Sequence, residues 1–287
     1  RGGRLGTGRR GHAATVTGGR VGLEVRRKDG TEETADADKC VLATGAPILD
    51  RGGFFARLEP SRSYCVAFTL PGRPPRPMML SADSPTRSVR YAVVDSAERL
   101  LVGGGGHAVG RKDSPRSSYA ELVGWTTRHF PGAQPTHRWS VQDYVPIDGL
   151  PYVGPLLPSS EHFFVATGFA KWGMTNGVAA ALLLSNRILG GQPARWASAF
   201  DSWSPHELSG LSTALKLNAE VGWQMARGWA ARPCSKAPVC THLGGVLSWN
   251  DAERSWDCPL HGSRFDADGR VLEGPATSDV FSVRGAG

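Results

Sequence analysis

Two pairs of side chains able to bind metal stand close together near the end of the sequence. They are Cys240-x-His242 and, after fifteen intervening residues, Cys258-x-x-His261. Thiolate sulfur and imidazole nitrogen are ligands of both zinc and iron. A small zinc ribbon is one reading, although zinc sites usually pair like with like. Mixed pairs suit a two-iron cluster in which two thiolates hold one iron and two imidazoles the other. The other three cysteines, Cys40, Cys65 and Cys234, have no such spacing and read as buried or incidental thiols.

The flanking residues narrow the choice. Thr241, Leu243-Gly244-Gly245, Pro259, Gly262-Ser263-x-Phe265-Asp266, Gly269 and Gly274-Pro275-Ala276 together resemble the Rieske iron-sulfur family. The resemblance implies a [2Fe-2S] cluster with Cys240 and Cys258 on one iron and His242 and His261 on the other. It also implies departures. Gly245 and Leu260 occupy the places of two cysteines that form a disulfide in high-potential members, and Phe265 replaces a tyrosine that bonds a ligand sulfur. Ser263 matches the serine that bonds a bridging sulfide. Hydrogen bonds to sulfur favour the reduced cluster, so the implied potential lies toward the low end of a range of about −150 to +300 mV.

The elements that must position these loops are next. Residues 21–49 read as strand, turn, strand around Asp29-Gly30, and "SYCVAFTL", "VRYAVV" and "RLLVGGGG" read as further strands between proline-rich connections. Three segments read as helices: "SSYAELVGWTTRHF" behind a serine cap, "TNGVAAALLLSNRILGG" starting at Thr175-Asn176, and "SGLSTALKLNAEVGWQMARGWAA". The third ends near Ala231, leaving "RPCSKAPV" before Cys240. Rieske domains place several strands there, so the expectation is a domain trimmed at its base or lacking a segment.

In "FFVATGFAKWGMTNGVAAALLLSNRILGG", residues 163–191, a strand ends at Ala166, a glycine-containing loop follows, and a helix begins. A helix start offers free amides and a positive dipole end to a phosphate or a flavin edge. With "IDGLPYVGP" and "VLATGAP", this stretch is similar to the FAD-dependent oxidoreductases of the D-amino-acid oxidase and glycine oxidase superfamily, over about residues 15–200. The likeness is greatest to bacterial members with a C-terminal Rieske module. It implies that Ala43, Thr44, Gly45, Gly168, Lys171, Trp172, Gly173, Met174 and Thr175 lie at the FAD. Lys171, Trp172, His107 and Tyr144 are candidates to line a substrate site where hydride passes to the flavin. No Gly-x-Gly-x-x-Gly unit precedes residue 41, and "GGGGHA" at 103–108 is rejected as one because no helix follows it. The chain therefore reads as the C-terminal part of a longer protein. The arginine that pairs with substrate carboxylates in amino-acid-oxidising relatives has no match, since Asp143 stands in its place and Arg138 is displaced upstream.

Composition sets outer bounds. The chain has 287 residues, 40% of them hydrophobic, and a formal charge of +7 carried mostly by scattered arginines. It shows no basic block for nucleic acid, no apolar run long enough to span a membrane, no secretory leader and no disulfide framework, which gives a cytoplasmic expectation. The fold class expected is α+β: the C-terminal part of an FAD-dependent oxidoreductase (glutathione-reductase-like, with a mixed-sheet substrate domain) over 1–200, a helical linker over 201–232 and a small all-β Rieske domain over 233–287. The expected function is an oxidoreductase that couples FAD-dependent oxidation of a small organic substrate, an amine or similar, to one-electron transfer through the cluster to a redox partner protein. The alternative is a non-catalytic Rieske-type electron carrier with a remnant flavoprotein domain.

Overall fold

The structure is a computed structural model that describes residues 3–49 and 51–281. Residues 1, 2 and 50 of the N-terminal assignment and 282–287 of the C-terminal one lie outside the described residues.

Strands β1 (Arg9–Thr17), β2 (Arg20–Arg27) and β3 (Glu32–Ala37) form an antiparallel meander. β1 was not legible as a strand: of its residues only Ala14 is buried, and the cross-strand register with β2 holds the rest in place. The short strand β4 (Cys40–Leu42) leaves this meander and pairs in parallel with β11 (Phe163–Thr167), which pairs on its other side with β10 (Tyr152–Pro155). The loops that follow β4 and β11 thus emerge side by side, at the carboxyl ends of parallel strands where α/β sheets place ligands.

A five-stranded antiparallel sheet forms the middle of the molecule. Its order is β6 (Met79–Leu80), β7 (Arg87–Val94), β8 (Ala97–Ala108), β5 (Leu58–Thr69) and β9 (Gln134–Pro146). Helix α1 (Arg116–His129) covers one face, packing Tyr119 and Leu122 on Tyr64, Val66, Phe68, Leu100 and Val102. Period-two alternation in β5 puts Ser63 and Cys65 on the opposite face, where the register aligns Ser88, Gly103, Cys65 and Trp139 in one row.

Helix α2 (Gly173–Ile188) follows β11 and begins two residues before the expected Thr175, with no side-chain cap. Helix α1 also lacks the expected serine cap. Its first amide, on Arg116, donates instead to Asp251 of the C-terminal module at 2.9 Å.

The C-terminal module is a four-stranded antiparallel sheet of β12 (Ser248–Asn250), β13 (Ser255–Asp257), β14 (Arg264–Phe265) and β15 (Val271–Glu273). Helix α3 (Leu211–Ser235) supplies what its base lacks. Val221 and Met225 pack against the core of Leu247, Leu260, Phe265 and Val271, and Trp229 donates to the Gly244 carbonyl at 3.0 Å. A helix and the neighbouring sheet thus stand where further strands were expected. The architecture is α+β, with an all-β C-terminal module.

Candidate metal centre and cofactor sites

The two ligand-bearing loops are built alike. Cys240 N donates to Gly245 O at 2.8 Å and Gly244 N to Cys240 O at 3.1 Å; Cys258 N donates to Ser263 O at 2.8 Å and Gly262 N to Cys258 O at 3.1 Å. The fifth residue of each loop turns back in the left-handed region, Gly244 at φ 74° and Gly262 at φ 79°. At Gly262 close approach adds a second requirement, because a Cβ there would lie 2.5 Å from the Cβ of Pro60. The two turns bring all four sequence-assigned ligands together. Cys240 and Cys258 are buried and hydrogen-bonded to each other, and the rings of His242 and His261 stand perpendicular with centroids 5.2 Å apart.

This donor set fits a two-iron cluster. Thiol is paired with thiol and imidazole with imidazole, the division that a cluster with one thiolate-held and one imidazole-held iron requires. Backbone amides of His242 and Leu243 approach the Cys240 sulfur, and those of Leu260 and His261 approach Cys258, which favours thiolates. The hydrogen bond from Cys258 lowers Cys240 to about 7 against the effect of burial. The same bond, reinforced by burial, raises Cys258. Burial, with smaller contributions from His242 and Arg111, pushes His261 down to about 4, so its ring is neutral, and its Nδ1 is buried without a hydrogen-bond partner. A buried neutral imidazole nitrogen of this kind is a ready metal ligand.

Gly245 and Leu260 face each other. A Cβ on Gly245 would lie 2.7 Å from Leu260 Cδ1 and 3.0 Å from the Cys258 sulfur. Packing by Leu260 thus fills the space between the loops. The Ser263 hydroxyl lies beside the Cys240 sulfur and accepts from Ala276 N at 3.0 Å, while Phe265 is fully buried.

The N-terminal half holds the second loop from outside. Arg111 Nε donates to Pro259 O at 3.0 Å, and Gln142 Nε2 donates to Gly262 O at 2.7 Å and to the Tyr144 hydroxyl at 3.0 Å. The Tyr144 hydroxyl reaches Gly274 O at 3.2 Å and His261 O at 3.5 Å. Its ring lies against Gly45, where a Cβ would be 3.0 Å from Tyr144 Cε2. Phe55 stacks edge-on against both imidazoles, at 5.1 Å from His261 and 5.9 Å from His242. Phe55, Gln142 and Arg111 escaped the sequence reading because no local motif marks a residue whose role is set by a partner more than a hundred residues away.

The residues assigned to FAD gather less tightly. Thr44 and Gly45 follow β4, Gly168 follows β11, and the Thr167 hydroxyl donates to Gly45 O, joining the two loops. A cavity of about 430 Å³ opens beside Thr44, Gly45 and Tyr144 and is closed on its far side by Glu273, Gly274 and Ala276. Ala170 and Lys171 both adopt left-handed backbone, φ 47° and 73°, and Asp143 accepts the Lys171 amide. Asp143 thus fixes the loop that a substrate-binding arginine would adjoin. Arg138 stacks over Tyr119 on the α1 face of the sheet, away from Cys65 and Trp139. Trp172 and Met174 are 62% and 91% exposed, and the open face of Gly177 completes an accessible first turn of α2. Left-handed Gly45 and Gly168, the uncapped start of α2 and the adjoining cavity fit the edge of a bound dinucleotide. His107 is not exposed: it is half-buried, stacked on Tyr64 and bonded to the Tyr64 hydroxyl at 2.9 Å.

A family model described as FAD dependent oxidoreductase matches residues 1–187. The chain belongs to that family. A second model, the Rieske [2Fe-2S] domain, matches residues 233–284. The relative named "Putative Rieske 2Fe-2S iron-sulfur protein YhfW", from Bacillus subtilis (strain 168), is 33% identical over 270 residues, covering 83% of this chain and 53% of the relative. The cytochrome b6-f complex iron-sulfur subunit 1 of Nostoc sp. is 60% identical over 42 residues, 15% of this chain and 24% of that protein. Glycine oxidase from Geobacillus kaustophilus shares the fold at a TM-score of 0.52 and 19% identity, covering 68% of this chain and 52% of that one. L-proline dehydrogenase from P. horikoshii does so at 0.54 and 15%, covering 70% and 54%. The chain spans about half the length of the Bacillus relative and of these solved structures.

Membership of the FAD-dependent oxidoreductase family implies FAD, and the Rieske module implies a [2Fe-2S] cluster. Among the described residues no helix is long and apolar enough to cross a membrane.

Proposed function

We propose that this chain is part of an oxidoreductase that takes two electrons from a small organic substrate, an amine or similar, and passes them singly to a carrier protein. When bound, FAD supplies the two-electron acceptor and the [2Fe-2S] cluster the one-electron relay. Cys240, Cys258, His242 and His261 hold the cluster. Thr44, Gly45, Gly168 and the segment Lys171–Thr175 border the flavin, with Ala43 behind them. Asp143 holds the Ala170-Lys171 turn in place. The units of this reading are a flavoprotein part to about residue 200, the α3 segment, and the Rieske module from about residue 233. Its setting is cytoplasmic.

The single observation that carries the reading is Tyr144. One buried side chain touches Gly45 of the flavin loop and hydrogen-bonds the carbonyl of the ligand His261, so the two sites share a wall. A shared wall supports direct electron exchange between the two cofactors. The test is the visible spectrum of the purified chain together with iron, acid-labile sulfide and zinc analysis. Flavin and iron-sulfur absorption together are expected. Iron-sulfur absorption without flavin, even after FAD is added, would leave only an electron carrier, and zinc alone would overturn both readings.

A further inference from the structure

The rings of His242 and His261 stand together on one side of the cluster site. Phe55 stands on that side. It belongs to a single 3-10 turn, Phe54–Ala56, entered through Gly52 and Gly53 in the left-handed region at φ 79° and 62°. The turn is anchored from behind. Phe54 is buried against Tyr152 and Trp203, the Arg57 guanidinium lies 4.3–4.8 Å from those three rings, and Arg57 pairs with Glu207 at 2.5 Å. Asn218 of α3 donates to Ala56 O at 2.9 Å. With Phe54 fixed inward, the chain presents Phe55 outward, edge-on to both ligand rings.

We propose that Phe55 covers His261 on the imidazole side of the cluster site and turns that ring toward the flavoprotein half, while His242 stays half-buried at the edge of the cover. This rests on the reading of Cys240, His242, Cys258 and His261 as cluster ligands. The anchoring argues for a built feature, since an incidental surface phenylalanine needs no glycine pair, stacked arginine and helix contact behind it. Apolar cover of this kind keeps water from the groups beneath it at little energetic cost of its own.

The test is modification of histidine by diethylpyrocarbonate, mapped by mass spectrometry, on the cluster-bearing chain and on the metal-free chain. Exposed His129 and His137 serve as internal standards. In the wild type His261 is expected to stay protected and half-buried His242 to react more readily; Phe55→Ala is expected to lose the protection of His261 and Phe55→Leu to keep most of it, because bulk rather than aromaticity does the covering. Should Phe55→Ala not fold, Phe55→Val, which keeps a branched apolar group but not its reach, is expected to show partial loss. Equal modification of His261 in wild type and truncated variants overturns the cover. Iron content and the electron paramagnetic resonance signal of the reduced protein read the cluster separately. Protection that depends on Phe55 in a chain without that signal would uphold the cover and refute the ligand reading.

Discussion

The cluster loops and the flavin-side loops reach their places by different routes. Each cluster loop is a closed six-residue turn whose own backbone hydrogen bonds and left-handed glycine fix the Cys and His directions. The flavin-side residues come from strands β4 and β11, about 120 residues apart in sequence, and are joined by one hydroxyl from Thr167 to Gly45. A site made of self-contained turns can be read from spacing. A site made by sheet pairing depends on every strand that contributes, and here Trp172 and Met174 remain open to solvent.

The sharpest way to break this comparison is Cys258→Ser. The serine hydroxyl is a poor replacement for a thiolate ligand, so the iron content and the Rieske-type signal are expected to be lost. The flavin-side loops make no hydrogen bond to Cys258, so flavin binding should survive. Loss of both cofactors together would show that the two regions are not separable.

The next effect addresses what binds the regions together. Arg62 is fully buried where the central sheet meets the Rieske module, and it donates to Ser140 at 2.9 Å, Gln142 at 2.7 Å and Glu273 at 3.4 Å, with Asp257 at 3.9 Å. Asp257 and Glu273 each keep Arg264 at 3.2 Å, so removing Arg62 strands neither charge but takes its hydrogen bonds from Ser140 and Gln142, and Arg62→Ala is expected to cost about 1–3 kcal/mol in denaturant unfolding. A loss under about 1 kcal/mol, the usual worth of an exposed pair, would mean that the interface is hydrated or loosely held.

The same division explains how much was legible. The meeting of the two Cys/His loops, the three helices and strands β5, β7 and β8 of the central sheet follow from local pattern, whereas β9, the longest strand, carries no alternation that marks it. What sequence did not yield lies at contacts between regions. Asp251 caps α1 from the other module, Asp143 holds the turn at Lys171, and Phe55 covers His261, each by a pairing that no window of neighbouring residues contains. The short run before Cys240 looked like a defect for the same reason. The core of the C-terminal module is packed from α3 as well, by Val221 and Met225.

The smallest effect tests whether the regions unfold as one. Burial holds the His107 imidazole below its ordinary value; the hydrogen bond to the Ala108 carbonyl opposes this, Lys112 and Arg62 reinforce it, and Asp257 opposes it least. The folded state therefore keeps His107 neutral, with Nδ1 donating to Ala108 O and Nε2 accepting from Tyr64. The unfolded chain binds its proton near the free value of about 6.5. Because the unfolded state holds more protons in that window, stability is full above about pH 6.5 and declines as pH falls toward the lowered folded value, where the loss levels off. His107→Gln is expected to flatten this part of the pH profile measured by urea denaturation. His107 lies in the central sheet, yet if the Arg62 network makes one cooperative body, tryptophan fluorescence and cluster absorbance should shift to lower urea together as the pH drops. Fluorescence moving alone would mean that the Rieske module outlasts the sheet it docks against.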